Sequence, residues 1–291
     1  MDEAETAVSE WFEGRPRVLF VHAHPDDETI TTGGTLAALA EAGREPLLVT
    51  LTRGEQGEVV PGPLEALAAQ HGLAVVRQNE LQTAIGMLGL ERHVFLGVEP
   101  ARAEGLSPAI YEDSGMSWGA DGRATAAPDA GPDALTSVPA IEPLNDLLAA
   151  AYLSGAQAIV SYDDGGGYGH PDHVFAHRIG RAVAAALEVP FWQILSPGGP
   201  ADAPGGAGSA GPDGAAIPAD PAAVSDDGAD PRVVEAHDVT PWLDRKLAAL
   251  RAHTTQLTVE PSGERASGYD IVHVGGQREP VAVLEVFERL G

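Results

Sequence analysis

VLFVHAHPDDETITTGGTLAALAEAG, residues 18–43, sets an apolar run against two histidines and three consecutive acids, then a glycine pair and an Ala/Leu-rich stretch ending at Gly43. Residues 18–23 read as a buried strand, because apolar and aromatic side chains follow one another without a turn signal. Residues 35–42 read as a helix that Gly43 closes, and residues 46–51, PLLVTL, as a second apolar strand. Strand, helix and strand in that order make a βαβ unit, which builds a parallel sheet.

The alternation continues outward. Helices are expected over residues 64–88, 141–153 and 173–187, and strands over 93–96, 158–162 and 191–195. From residue 233 the pattern predicts a strand, a helix over 242–253 and strand-like runs over 269–274 and 281–287. Two stretches break it. Residues 97–139, rich in Gly, Pro, Ala and Asp, read as a long loop carrying local function. Residues 196–231 are almost wholly Ala, Gly, Pro, Asp and Ser, which cannot bury enough apolar area to offset chain entropy, so they read as a flexible surface insertion rather than a lid. The expected fold class is α/β: a Rossmann-like, mostly parallel sheet with helices on both faces and added C-terminal strands, in one domain over residues 1–291.

Composition narrows the function classes. Seventeen basic against 43 acidic residues give a formal charge of −26, which repels phosphate backbones and anionic lipid heads. Neither nucleic acid nor membrane is an expected partner, and a small molecule is. The single lysine, Lys246, among 16 arginines carries no mechanism. With no cysteine, thiolate nucleophiles and Cys-based zinc knots are excluded, and any metal must be held by His, Asp or Glu. The acidic opening MDEAETAVSEWFEGRPR has no basic n-region or apolar h-region, so a cytoplasmic location is expected.

In open α/β sheets, ligands bind beyond the carboxyl ends of the strands. His24, Pro25, Asp26, Asp27 and Glu28 follow the first strand there. A turn at Pro25 would let His24 and Asp27 converge on one ion while Asp26 projects toward its open side as a base. SYDDGGGYGHPDH, residues 161–173, follows another strand and precedes a helix, and offers His170 and His173 as further ligands. Alternatives fail on detail. TTGGTLAAL lacks the spaced glycines of a dinucleotide fingerprint, and the Walker lysine is absent. No G-x-S-x-G turn occurs; the nearest approach, DSGM at residues 113–116, lies in the irregular stretch. Metal-assisted hydrolysis remains. His22 shares the strand face of His24 and reads as a core histidine, as His71, His93, His177, His237, His253 and His273 read as structural.

HAHPDDE together with GGGYGHPDH resembles the LmbE-like, or PIG-L, family of zinc-dependent N-acetylglucosaminyl deacetylases, and TRGEQGEV and YEDSGM add two matching blocks. The likeness runs from about residue 18 to 177, and more loosely through DVTPWLDRKLAALRAHTTQLTV at 238–259. It is strongest to members that deacetylate N-acetylglucosaminyl-inositol in mycothiol biosynthesis. The resemblance implies His24, Asp27 and His173 as ligands of Zn2+, with Fe2+ or Co2+ also acceptable to such donors. It implies attack of a zinc-bound water on the acetyl carbonyl with Asp26 as general base. His170, protonated and oriented by Asp172, would stabilise the oxyanion or protonate the leaving amine, with Tyr168 as a second donor. Sugar recognition would fall to Arg77, Asp113 and Glu58. A conjugate amidase acting on the same scaffold, another N-acetyl sugar deacetylase of the family, and a metal-dependent sugar-binding protein are the competing readings. The insertion at 196–231 and an enlarged stretch at 97–109 depart from the family pattern.

Overall fold

A computed structural model of the chain describes residues 3–118, 124–195, 233–263 and 265–291. In chain order its elements are α1 (Glu3–Glu10), β1 (Val18–His22), α2 (Asp27–Glu41), β2 (Leu47–Thr50), α3 (Pro63–His71), α4 (Leu73–Leu88), β3 (His93–Phe95), β4 (Ser117–Trp118) and β5 (Ala124–Thr125). There follow α5 (Ile141–Ser154), β6 (Ala158–Tyr162), α6 (Pro171–Leu187), β7 (Phe191–Ile194), β8 (Val233–Asp238), a 3₁₀ turn (Thr240–Trp242), α7 (Leu243–Leu250), β9 (Leu257–Pro261), β10 (Tyr269–His273), β11 (Arg278–Pro280) and β12 (Leu284–Leu290). The insertion expected over residues 196–231 lies outside the described residues.

The main sheet has the order β3-β2-β1-β6-β7-β12-β8. Its first five strands run parallel, and β12 pairs antiparallel with both β7 and β8. Alternation along β1 divides the core. Val18 and Phe20 pack with Leu36, Leu39, Leu81 and Ile85 of α2 and α4 on one face. Leu19 and Val21 pack with Leu147, Ala150, Ile179 and Val183 of α5 and α6 on the other. With both faces covered, every residue of β1 is buried, as its unbroken apolar run requires. The strand order reverses between β1 and β6, and the crevice beyond their carboxyl ends is the expected ligand position.

Several elements differ from expectation. The helix expected from residue 35 begins eight residues earlier, so Asp27 and Glu28 stand in its first turn. Thr29, Thr31, Thr32 and the glycine pair are poor helix formers, and tertiary bonds override them. Thr31 and Thr32 donate their hydroxyls back to the carbonyls of Asp27 and Glu28, and the Glu285 carboxylate accepts from the N–H groups of Gly34 and Thr35. That carboxylate is held by Lys246 Nζ at 2.7 Å, so the lone lysine anchors the C-terminal strand to α2 from within the core. The helix expected over 64–88 is broken at Gly72, whose φ of +84° no helix accepts. The β9 and β11 strands were not foreseen; with β10 they form a separate antiparallel sheet. The final strand lies three residues later than expected, at Leu284–Leu290. Among the described residues, no helix is long and apolar enough to cross a membrane.

Candidate metal centre

At the end of β1 the chain leaves the sheet through Ala23, His24 and Pro25 and turns into α2. At the end of β6 it loops through the glycine-rich residues 165–169 and turns into α6 at Pro171. The starts of α2 and α6 face each other across the point where the sheet order reverses, which brings both histidine clusters together.

Three donor atoms converge there. His24 Nδ1 and Asp27 Oδ2 are 3.2 Å apart, His173 Nε2 and Asp27 Oδ2 are 3.2 Å apart, and the two ring nitrogens are 3.3 Å apart. Tetrahedral ligands about 2.0–2.1 Å from a zinc ion stand roughly 3.3–3.4 Å from one another. The triangle therefore has the dimensions of three ligands to one small divalent cation, with one position left over.

The outer contacts support the same assignment of lone pairs. A metal-ligating histidine characteristically donates its other N–H to a carboxylate or carbonyl. His24 turns Nε2 toward Asp172 Oδ2 at 3.2 Å and Asp113 Oδ1 at 3.5 Å, and His173 turns Nδ1 toward the Gly166 carbonyl at 3.2 Å. His24, Asp113 and Asp172 are themselves close enough to hold an ion. The orienting reading is favoured because Nε2 is needed as donor once Nδ1 faces the triangle. Burial opposes charge on His24, yet Asp113, Asp172 and Asp27 hold its pKa well above the usual imidazole range. The same field attracts a metal cation. Asp27, despite burial, is held well below the carboxylate range by His173 and His24.

Tyr162, inside the 161–173 block but not among its expected site residues, braces two corners of the triangle. Its ring stacks on His173 with centroids 4.0 Å apart and planes 10° apart, while its hydroxyl donates to Asp27 Oδ2 at 2.7 Å and accepts from the Ala23 N–H at 2.8 Å. Its position at the end of a predicted strand is the one available signal.

His170 caps α6: its Nδ1 accepts the Asp172 N–H at 3.2 Å, which leaves Nε2 to carry the proton of the neutral ring. Burial and the neighbouring His24 and His173 push its pKa down to about 2. The sequence leads one to expect a protonated His170 oriented by Asp172; here the contact between the two is the Asp172 backbone N–H. Nitrogens of His24, His170 and His173 are mutually close enough to share an ion, but a protonated Nε2 makes His170 a donor rather than a ligand. The carboxylate of Asp172 instead serves His24 and accepts the Ser114 N–H at 2.9 Å. Tyr168 lies beside the histidines, its ring 5.1 Å from that of His173, and is 43% exposed.

Asp26 is the N-cap of α2, at φ 109°. Burial raises its pKa to about 6, against the pull of Arg77. Arg77, expected at the sugar, is buried. Its guanidinium bonds the Gly54 and Pro25 carbonyls and lies 3.2 Å from Asp26 Oδ1, so it ties down the loop that carries the acids. Asp113 does reach the cluster, through His24, and is fixed by the N–H groups of Gly115 and Gln56. Glu58 is exposed, and its carbonyl accepts from Gln256. His22, fully buried on Thr32, keeps its core reading. His253, read as structural, lies 3.2 Å from Glu28 beside Asp26.

The model of the PIG-L family, described as GlcNAc-PI de-N-acetylase, matches residues 19–184. The chain is 40% identical over 278 residues to a 1D-myo-inositol 2-acetamido-2-deoxy-alpha-D-glucopyranoside deacetylase of Kineococcus radiotolerans, covering 89% of this chain and 74% of that one. It is 37% identical to a protein of the same name from Actinosynnema mirum, over 91% and 89% of the two chains. In fold it resembles the N,N'-diacetylchitobiose deacetylase of Pyrococcus horikoshii, with a TM-score of 0.52 at 17% identity over 86% of this chain and 74% of that one. It also resembles the zinc-inhibited form of the teicoplanin deacetylase Orf2, with a TM-score of 0.53 at 17% identity over 94% and 98%.

Proposed function

Since the chain belongs to the PIG-L family of GlcNAc-PI de-N-acetylases, we propose that it is a metal-dependent amidohydrolase that removes the acetyl group from N-acetylglucosaminyl-inositol. The reading is carried by the triangle of His24 Nδ1, Asp27 Oδ2 and His173 Nε2, 3.2–3.3 Å on a side, with a carboxylate of raised pKa beside it. The substrate follows from the names of relatives that match most of the chain.

His24, Asp27 and His173 would hold the cation, with Zn2+ first and Fe2+ or Co2+ as alternatives for a His/carboxylate set. When bound, it supplies Lewis acidity that polarises the acetyl carbonyl and lowers the pKa of water toward about 7. Asp26 accepts the proton of the attacking water; a base near pH 6 is matched to neutral conditions. As the carbonyl carbon becomes tetrahedral, the His170 Nε2–H donates to the oxygen that gains charge, and the hydroxyl of Tyr168, whose ring neighbours His170, adds a second bond. Asp26 then returns its proton to the departing amine. One water and one amide become acetate and a free glucosamine nitrogen.

The test is acetate release from N-acetylglucosaminyl-inositol by the purified chain, before and after chelation and after restoring Zn2+, Fe2+ or Co2+ separately. Activity lost and regained establishes the reading and ranks the ions. A metal-loaded protein that ignores this amide but cuts a larger amide on the same sugar would overturn it in favour of a conjugate amidase.

A further inference from the structure

Asp26 holds φ 109° and ψ −36°, in a region that favours glycine. Its peptide is held on every side. The N–H donates to Glu28 Oε2 at 3.0 Å, the carbonyl accepts from Thr29 and Ile30, each at 2.9 Å, and Arg77 grips the Pro25 carbonyl and Asp26 Oδ1. The N–H bond depends on a carboxylate only two residues away, which must itself be fixed to act as a stop. The Thr29 hydroxyl and His253 Nε2, at 3.2 Å, fix its other oxygen, Oε1. Glu28 and His253 are both fully buried.

His253 arrives from just beyond α7, far outside the family-matched residues 19–184. The three residues after it extend the same grip. Thr254 and Thr255 donate to the Glu80 carboxylate on α4, the Val60 N–H reaches the Thr255 carbonyl, and Gln256 donates to the Glu58 carbonyl. Residues 253–256 therefore tie together the start of α2, α4 and the loop after β2.

Resting on the reading of Asp26 as the base, we propose that Glu28 and His253 are positioning residues. His253 locks the Glu28 carboxylate, and Glu28 holds the Asp26 N–H, so a C-terminal residue sets the attitude of a base in the first strand-to-helix turn. Neither touches the substrate. A small misplacement of a catalytic group costs on the order of 10²-fold in rate, and that is the scale expected when the lock is released. A buried pair serving only to pack α7 on α2 would lower stability and leave turnover per folded molecule unchanged.

The test uses the zinc-loaded full chain. His253→Gln keeps an N–H within reach of Glu28 Oε1, whereas His253→Asn is too short and His253→Ala removes the donor. Asn and Ala are expected to lower kcat about 30- to 100-fold with KM within about twofold and zinc content unchanged, and Gln to recover kcat to within about fivefold of the parent. If the Ala variant does not fold, the Asn/Gln pair decides: equal kcat overturns the proposal, as does parallel loss of kcat, KM and zinc. A readout without substrate separates this from the choice of reaction. The Asp26 amide, identified in a 1H–15N spectrum through Asp26→Asn, should move upfield in Asn and stay in Gln. Should the parent not deacetylate this sugar, the proposed function fails while the amide still reports the lock; an amide unmoved in Asn sinks the lock.

Discussion

The Tyr162 hydroxyl donates to Asp27 Oδ2 at 2.7 Å while its ring lies flat on His173, so one side chain of β6 orients two of the three donors. Outer partners of this kind typically contribute 10- to 100-fold to metal affinity. Tyr162→Phe keeps the stacked ring and removes the bond, so zinc affinity measured by chelator competition is expected to fall by roughly that factor. The same change strips the Ala23 N–H of its acceptor and lowers stability by about 1–3 kcal/mol. Unchanged zinc affinity would rule out the orienting role.

Asp26 contributes no atom to the triangle, so Asp26→Asn should retain zinc at parental stoichiometry while kcat falls on the order of 10²- to 10⁴-fold. In the parent, burial lifts the Asp26 pKa to about 6. The ionised form is the base, so kcat/KM should rise with pH through about 6 and flatten above it. A variant that keeps near-parental turnover removes Asp26 from the chemistry.

The fold and half of the site were legible because β1 and β6 are buried on both faces: each reads as a mainly apolar run, and the charges that follow lie at the strand ends. The histidines and acids of HPDD and HPDH announced themselves by type. What supports them did not. Tyr162 looks like any strand aromatic until the ring is seen against His173, and His253 meets Glu28 across 225 positions of chain, a separation no local pattern bridges. The hold of Arg77 on the loop is likewise invisible in the sequence, because only the approach of α4 brings it to the carbonyls of Pro25 and Gly54. The start of α2 was hidden by threonines and glycines that helix only because Glu285 and their own hydroxyls hold them.

Asp172→Asn tests whether His24 is aimed by a charge. The amide keeps the volume but weakens the grip on Nε2, and zinc affinity should fall about 10- to 100-fold while the protein stays folded. Equal affinity in the two proteins would leave the orientation of His24 to Asp113 and the backbone.

His93 sits away from the metal cluster, bonded to Thr50 and Gln82, and burial lowers its pKa from 6.5 to about 4. Folding therefore favours the neutral ring, whereas the unfolded chain takes up a proton below about pH 6.5. Its contribution to stability is complete above about 6.5 and is lost as pH falls toward 4, by at most about 3 kcal/mol. His93→Gln should flatten the decline in melting temperature over that interval relative to the parent. Parallel curves would show that His93 does not carry it.

Helix propensity alone says that Gly34→Ala should stabilise α2 by roughly 0.8–1 kcal/mol. Packing says the opposite, because a Cβ at Gly34 would lie 2.3 Å from Val239 Cβ, and Val239 is fully buried in the core. Overpacking of this kind costs about 1–3 kcal/mol, and it should win here, since relief requires moving either α2 or the residue that joins β8 to the 3₁₀ turn. Gly86, inside α4, has nothing within 4 Å of the same added atom. Gly86→Ala is accordingly expected to stabilise by up to about 1 kcal/mol, where Gly34→Ala destabilises. Denaturant midpoints of the two variants should thus move in opposite directions from the parent. If both rise, α2 is not pressed against Val239, and the close approach that Gly34 permits is not what holds α2 over the metal cluster.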